Sequence, residues 1–418
     1  MAETELRFDV VVVGAGQTGA TLALALATAG LKVAAVDAMA PETQLAPAFD
    51  GRASFIAYGP FRQWRALGLG EALEADAQPV RSILVTDGPG PGASARAPGL
   101  GLLRFEAGEM GDLGGDEPLG WMVENRHIRA ALAGAMAKAD VALFAPVRVS
   151  AVDTEGAVAR VTLADGRVLT APLVVGAEGR RSAVREAAGI KTYGWNYPQA
   201  GVVATVALER PHDAVAHEYF LPGGPLAILP LTEGRASLVW TERTAAAKAL
   251  VEGSEEAFES HLARRFGDFL GRPRLIGSRF TYPLGLFMAE QMVAPRAALI
   301  GDAAHAVHPV AGQGLNMGLK DVAALAEVVA DALRLGEDWG SDAVLARYAS
   351  WRRFDAASLA VATDLFVRLF SNDNPLLRIA RRVGMAGVNR LEPARRFFMR
   401  EAGGAVGDVP RLLRGDAL

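Results

Sequence analysis

Two glycine-rich segments near opposite ends of the chain carry the residues best placed to do chemistry. The first, GAGQTG, spaces Gly14, Gly16 and Gly19 so that a tight turn can bring a pyrophosphate onto backbone N–H groups at a helix N-terminus. Side chains at Gly14 or Gly16 would block the turn or the approach, Gly19 lets the helix lie on its strand, and Gln17 and Thr18 open that helix. Asp37 follows a second apolar run, where a carboxylate can accept hydrogen bonds from an adenosine ribose and repel a 2′-phosphate. FAD and NAD satisfy these residues equally. The second segment, GDAAHAVHPVAGQGLNMGLKD from Gly301 to Asp321, supplies the rest. Asp302 is a carboxylate at a strand tip within reach of a ribityl hydroxyl, and Gly312 and Gly314 open a helix. A helix N-terminus favours the negative charge that a reduced flavin carries at the pyrimidine end of its ring. The pair of segments therefore points to a flavin dinucleotide.

The elements that must position these residues are legible around them. Phe8 to Val13 reads as a buried parallel strand, the helix after it ends near Gly30, and Leu31 to Val36 forms the strand that delivers Asp37. Val10 to Leu31 carries no charge and is about long enough to cross a bilayer, but its glycines at turn spacing and the acids Glu3, Glu5 and Asp9 before it argue against a span or a signal peptide. Ala297 to Ile300 is a short strand. Leu315, Leu319, Val322, Leu325, Val329 and Leu333 recur at the spacing of one buried helix face. His305 and His308 lie three apart, yet no carboxylate or cysteine nearby completes a metal site, so they are expected as loop residues beside the ring and no metal is expected.

A chain of 418 residues, about half of them hydrophobic, is expected to form two interlocked domains. With no cysteine, thiolate nucleophiles, disulfides and cysteine-ligated clusters are excluded, so redox chemistry must come from a bound cofactor, and a reducing cytoplasm suits the composition. A net charge of −4 argues against nucleic-acid binding. That charge is uneven. Phe366 to Arg400 holds eight arginines against Asp373 and Glu392, interleaved with apolar residues such as Phe370, Met385, Phe397 and Phe398. Two readings stay open for this amphipathic tail: contact with an anionic membrane surface, or a solvated arginine face or oligomer contact.

Between these segments, Pro41 to Arg52 reads as a loop, Ile56 to Ala75 as helical, and Gly88 to Gly101 as a flexible glycine and proline-rich insertion. Trp121 to Met136 reads as a strand end and a helix, and Val147 to Thr170 as hairpins. Val202 to Leu208, Glu218 to Leu221, Leu226 to Leu231 and Ala236 to Trp240 are candidate antiparallel strands of an inserted domain. The fold class is thus α/β: a Rossmann-like parallel-sheet domain over residues 1–75, 105–190 and 286–360, interlocked with a smaller, mainly antiparallel domain over 76–104 and 191–285, and followed by a helical region over 361–418.

GAGQTG, the strand end at Asp37, LVVGAEGRRSAVR at Leu173 to Arg185 and the segment from Gly301 to Asp321 together resemble the three signatures of single-component flavin aromatic hydroxylases, the group that includes p-hydroxybenzoate hydroxylase. FDGRASFIAYGPFRQWRALGL, WMVENRHIRAAL, FLPGGPLAILPL with SLVW, and HPVAGQGLN are similar to the ubiquinone-biosynthesis hydroxylases within it. The resemblance covers nearly the whole chain. It implies that Gly14, Gly16, Gly19 and Asp37 hold the ADP half of FAD, and that Arg52 and Arg126 lie near the pyrophosphate and ribityl chain. It implies further that Asp302 binds the ribityl or pyrophosphate side, that Gly312, Gln313, Gly314, Leu315 and Asn316 line the isoalloxazine, and that Pro309, with His308 beside it, sits at the substrate face. One departure is Glu178 before Gly179, where the family usually has Asp; Glu keeps the charge on a longer arm near the pyrophosphate or pyridine nucleotide.

The implied activity is hydroxylation of the aromatic ring of a prenylated phenol or quinone precursor, using O2 and NAD(P)H through a flavin 4a-hydroperoxide, with the cofactor doing the difficult chemistry. A quinone-biosynthesis protein assembly and a peripheral place at the inner face of the cytoplasmic membrane accompany that reading. Its alternatives are a flavin hydroxylase of a small soluble aromatic compound and a non-catalytic FAD-binding scaffold subunit.

Overall fold

Short apolar runs buried on both faces form central strands of parallel sheets, and four such runs build the middle of this protein. In the computed structural model, which describes residues 5–46, 51–88, 102–110, 117–267, 269–308, 312–370 and 375–418, one sheet has the order Val293–Ala294, Ala297–Leu299, Leu173–Gly176, Val10–Val13, Val33–Val36, Ala142–Phe144. Its pairings are parallel except at the Val293–Ala294 edge. Val10 and Val12 face a helical core that includes Leu22, Leu26, Leu319 and Val322, while Val11 and Val13 face Val161, Leu163 and Leu169 of a second, four-stranded sheet. The glycine-turn helix, Gln17–Thr28, and the long helix Gln313–Leu335 pack side by side on the first of these faces.

The second large unit is an eight-stranded sheet. Val215–Leu221, Gly224–Leu231 and Arg235–Arg243 follow the strands expected from alternation, each somewhat longer. One face packs on the helices Thr244–Glu252 and Glu255–Phe266 through Val202, Tyr219, Leu226, Leu238 and Trp240. The other is turned toward the flavin-signature segments. Thr192–Ala207 and Arg274–Ala289 pair along their length, and both were only partly foreseen or missed. The Thr192 end is exposed and shows no buried alternation, and Pro198 falls where the register shifts between Asn196 and Ala200, so neither signal of a strand is present there.

Other local expectations are corrected. Pro41–Leu45 is a short helix within the expected loop; it begins at a proline and buries no residue, so it leaves no periodic trace. Ala53–Ala57 is a strand where helix was expected to begin at Ile56, and the helix Tyr58–Ala66 stops before Gly68, whose φ of 78° breaks it from Gly70–Glu74. The glycine and proline-rich insertion lies, beyond Gly88, outside the described residues.

One carboxylate ties these pieces together. Asp321, fully buried on the long helix, accepts from the Gly301 backbone N–H at 3.0 Å and from Arg352 Nε at 2.8 Å. His305 Nε2 lies 2.7 Å from the same carboxylate, near enough for an ion pair though poorly aligned for a hydrogen bond. Arg352 in turn pairs with Asp355, and Lys320 Nζ donates to the Glu401 carbonyl at 3.1 Å. Burial pushes the Asp321 carboxyl up, but the charges of His305 and Arg352 and the hydrogen bond from Arg352 outweigh it and hold the pKa below the usual range.

A folded-state pKa below the unfolded one stabilises above the unfolded value, and that stabilisation is lost as pH falls through the folded value. Asp321→Asn, which leaves Arg352 buried without its full counter-charge, should cost about 3–5 kcal/mol in urea unfolding at neutral pH. The gap to the unsubstituted protein should narrow as the pH is lowered; equal stability at neutral pH would remove the role given to this carboxylate.

Candidate functional site

The glycine turn is shaped by contacts that can be tested atom by atom. Gly14 has φ of 99°, and a Cβ there would stand 2.5 Å from the Ala177 carbonyl carbon; a Cβ on Gly19 would stand 1.9 Å from the Gly14 oxygen. Both glycines are required by the protein's own packing. Gly16 differs: a Cβ would meet nothing within 4 Å, so the space in front of the helix N-terminus is open. Asp37 Oδ2 accepts from the Ala15 N–H and Oδ1 from the Met39 N–H, both at 2.8 Å, so the carboxylate builds the turn and keeps lone pairs for a ribose. A pocket beside it is lined by Gly16, Gln17, Asp37, Met39, Arg129 and Leu143. Gln17 Nε2 is buried there without a partner. Open space at a helix N-terminus and an unspent donor beside a ribose-type acid fit the ADP half of FAD.

The middle signature leans on both neighbours. Glu178 Oε1 accepts from the Val184 N–H at 3.1 Å at the start of the helix Ala183–Ala187, and burial pushes its pKa up against the hydrogen bonds it receives. Arg185 donates to the Ala303 carbonyl at 3.0 Å and to the Arg180 carbonyl at 2.7 Å, fixing the turn that carries Asp302. Thr18 completes the junction. It touches where a Cβ on Gly301 (3.2 Å) or Gly318 (2.9 Å) would stand, so all three signatures meet within one set of contacts.

Asp302 sits in a turn of 3-10 helix, Gly301–Ala303, reached by solvent yet enclosed by protein, the situation of a side chain in a deep cleft. Enclosure raises its pKa, opposed by the positive fields of His305, Arg180 and Arg52. Arg52 lies over the Tyr282 ring at 5.8 Å. Arg126 is drawn aside: its Nη2 meets Glu124 at 3.1 Å, and Arg235 meets the same carboxylate at 3.1 Å. Burial raises the Glu124 pKa, but these two arginines carry it below the usual value. Arg129, three residues on along the same helix, lines the pocket beside Asp37. Its Nε donates to the Gln44 carbonyl at 2.9 Å. The signal that could have found it is the helical spacing from Arg126.

The second glycine segment places Gly312, with φ of 63°, at the cap of the helix Gln313–Leu335. A Cβ on Gly314 would meet nothing within 4 Å, so this N-terminus is open as well. Gln313 is buried and Leu315 half-buried against the core. Asn316 is fully buried and committed to the protein: Nδ2 donates to the Phe55 and Gly312 carbonyls at 2.8 and 2.9 Å, and Oδ1 accepts from the Ala57 N–H at 2.9 Å. It holds the strand Ala53–Ala57 against the helix start. Pro309 lies outside the described residues. His308, beside it, is 1 % exposed with neither ring nitrogen hydrogen-bonded, and packs edge-on to Tyr197 at 5.5 Å between centroids. Burial pushes its pKa down to about 4, so it is neutral near pH 7. Among the described residues no group of three or more His, Asp and Glu is placed to hold a metal ion.

The sequence matches the family described as FAD binding domain over residues 7–363. It is 46% identical to ubiquinone hydroxylase UbiL of Rhodospirillum rubrum over 413 residues, covering 97% of this chain and 92% of that one. It is 33% identical to 3-demethoxyubiquinol 3-hydroxylase of Escherichia coli over 400 residues, covering 94% and 98%. Among solved structures, p-nitrophenol 4-monooxygenase PnpA of Pseudomonas putida superposes with a TM-score of 0.78 at 20% identity, covering 97% of this chain and 100% of that one, which shows the shared fold.

Two glycine substitutions separate packing from binding. Gly14→Ala must fit a side chain at positive φ against backbone and should destabilise the fold by about 2 kcal/mol or more. Gly16→Ala should unfold like the unsubstituted protein yet bind FAD about tenfold more weakly or worse, since its methyl enters the open space. Thermal unfolding and flavin titration check both; unchanged FAD affinity in Gly16→Ala would contradict the assignment.

Proposed function

This chain belongs to the ubiquinone-biosynthesis hydroxylases, a family of FAD-dependent aromatic-ring monooxygenases, and we propose that it hydroxylates the ring of a prenylated phenol on the path to ubiquinone. The observation that carries the reading is the meeting of three separate signature segments at two open helix N-termini, with an apolar sheet face opposite. In this reading Gly16 and Gln17 hold the pyrophosphate, Asp37 the ribose, Asp302 the ribityl chain, and the backbone from Gly312 to Leu315 the ring. Asn316 positions that backbone, and Arg129 joins the nucleotide pocket. Residues 1–75, 105–190 and 286–360 form the FAD domain, and 76–104 and 191–285 the substrate domain. When bound, FAD would supply the dioxygen chemistry, with NAD(P)H as the source of electrons. The protein's own part is to exclude water and orient the phenol, and neutral His308 beside Pro309 offers both a donor and an acceptor for that task.

The C-terminal helices suit a lipid-derived substrate. Arg381 and Arg382 each reach Asp87 at the end of a sheet strand at 2.7 Å and Arg395 reaches Glu109 in the 3-10 turn Ala107–Met110 at 2.8 Å, so these three arginines clamp the helices onto the sheet and the turn that follows it. Ile379, Val383, Leu391, Phe397 and Phe398 remain exposed on the same helices. Exposed apolar residues beside arginines favour contact with an anionic bilayer surface. Among the described residues no helix is long and apolar enough to cross a membrane. The protein should therefore sediment with vesicles containing anionic lipid, and Phe397→Ser with Phe398→Ser should weaken this; sedimentation unchanged by that pair would contradict the surface assigned.

Deleting the gene in a strain with no second hydroxylase of this family should lower ubiquinone and accumulate a prenylphenol lacking one oxygen, reversed by restoring the gene. Mass spectrometry of the quinone lipids checks it. An unchanged quinone pool would sink the proposed substrate.

A further inference from the structure

On the sheet face turned toward the flavin segments, one row of side chains is apolar but for a single residue. Across the strands, the paired positions Phe280, Val203, Val239, Ala227, Glu218 and Val85 form a single row. Glu218 stands in it as the only polar side chain. Its neighbours along the strand on the same face fix where it lies. Ala216, two residues before it, packs in one cluster with Phe55, and Phe55 is what a side chain on Gly312 would meet at 3.1 Å. Phe220, two residues after it, packs against Phe370 of the C-terminal helices at 4.2 Å between centroids with the rings tilted by 39°, in a cluster with Val85 and Met385. Two residues of strand span roughly 7 Å, so Glu218 lies about one ring's length from the flavin-loop side and the same from the helical side.

Glu218 has neither a hydrogen bond nor an ion pair among the described residues, although it is enclosed by protein and only partly accessible. The nearest charge on its face, Asp87, is already held by Arg381 and Arg382. Desolvation without compensation pushes the Glu218 pKa up to about 8, so it is mostly protonated near pH 7. An unpaired carboxyl enclosed by protein destabilises a fold and is retained where something else needs it. A protonated carboxyl both donates and accepts, and its partner here must be a small neutral polar group carried by an otherwise apolar molecule.

We propose that Glu218 is the substrate-orienting residue of this enzyme, hydrogen-bonding an oxygen substituent of the phenol ring while the prenyl chain runs past Phe220 and Phe370 under the C-terminal helices. This rests on the reading of the chain as a hydroxylase of prenylated phenols. It assigns specificity in two parts: one ring oxygen is met by Glu218, and the tail by the cluster of Val85, Phe220, Phe370 and Met385.

The test uses the FAD-loaded full chain, a short-chain prenylphenol as probe, and three readouts: the probe's dissociation constant, the ratio of hydroxylated product to NAD(P)H consumed, and thermal unfolding. Glu218→Leu should bind the probe about tenfold more weakly and lose coupling, releasing hydrogen peroxide instead, while unfolding at the same or a higher temperature. Glu218→Gln, which keeps a donor and an acceptor, should restore binding to within about threefold. Leu binding and coupling like the unsubstituted enzyme would overturn the proposal, as would a Leu variant that unfolds at a lower temperature, the mark of a structural carboxyl. If the unsubstituted enzyme itself fails to hydroxylate the probe, the substrate reading falls instead, so the two failures are distinguishable.

Discussion

The buried carboxylate of Asp321 is the constraint on which the site depends. A single side chain, shut away from water, accepts from the backbone of the turn that carries Asp302 and from Arg352 on the next helix, and has His305 against it. Without it the turn after Ala297–Leu299 and the long helix would lose the buried hydrogen bond that joins them. The cost of burying this carboxylate is offset by the partners that both of its oxygens find, which is the condition under which such clusters specify geometry.

The polar groups that lack partners tell the complementary story. The Asp321 carboxylate and the Asn316 amide find their partners within the protein. Gln17 Nε2, the His308 ring and the Glu218 carboxyl do not. These three lie beside the nucleotide pocket, beside the flavin loop and on the facing sheet, along the course that a dinucleotide and an apolar aromatic molecule would take. Polar groups left unmet along such a course are available to ligands.

Much of this was legible in the sequence because the nucleotide-binding elements are local. A strand, a glycine turn and a helix are dictated by neighbouring residues, so Gly14 to Asp37 fold as their spacing predicts. What escaped is long-range. Arg126, expected near the pyrophosphate and ribityl chain, meets Glu124, which Arg235, more than a hundred residues away, also meets, while Arg129 lines the pocket beside Asp37. Asn316, expected to line the ring, is spent on a strand that precedes it by some 260 residues. The arginine-rich tail reads as one amphipathic face, yet Arg381 and Arg382 turn inward because Asp87 is buried beneath them. Glu218 is an unremarkable acid in a strand until the register shows its row to be otherwise apolar.

The central claim is that one FAD lies across both open helix N-termini with its ring toward the face that bears Glu218. A crystal structure of the protein purified with its flavin tests this most directly. The pyrophosphate should rest at Gly16 and Gln17, the ribityl chain at Asp302, and the ring against Gly312 to Leu315, with a cleft between it and Glu218. A flavin whose pyrophosphate lies away from Gly16, or whose ring turns away from the sheet, would contradict the account.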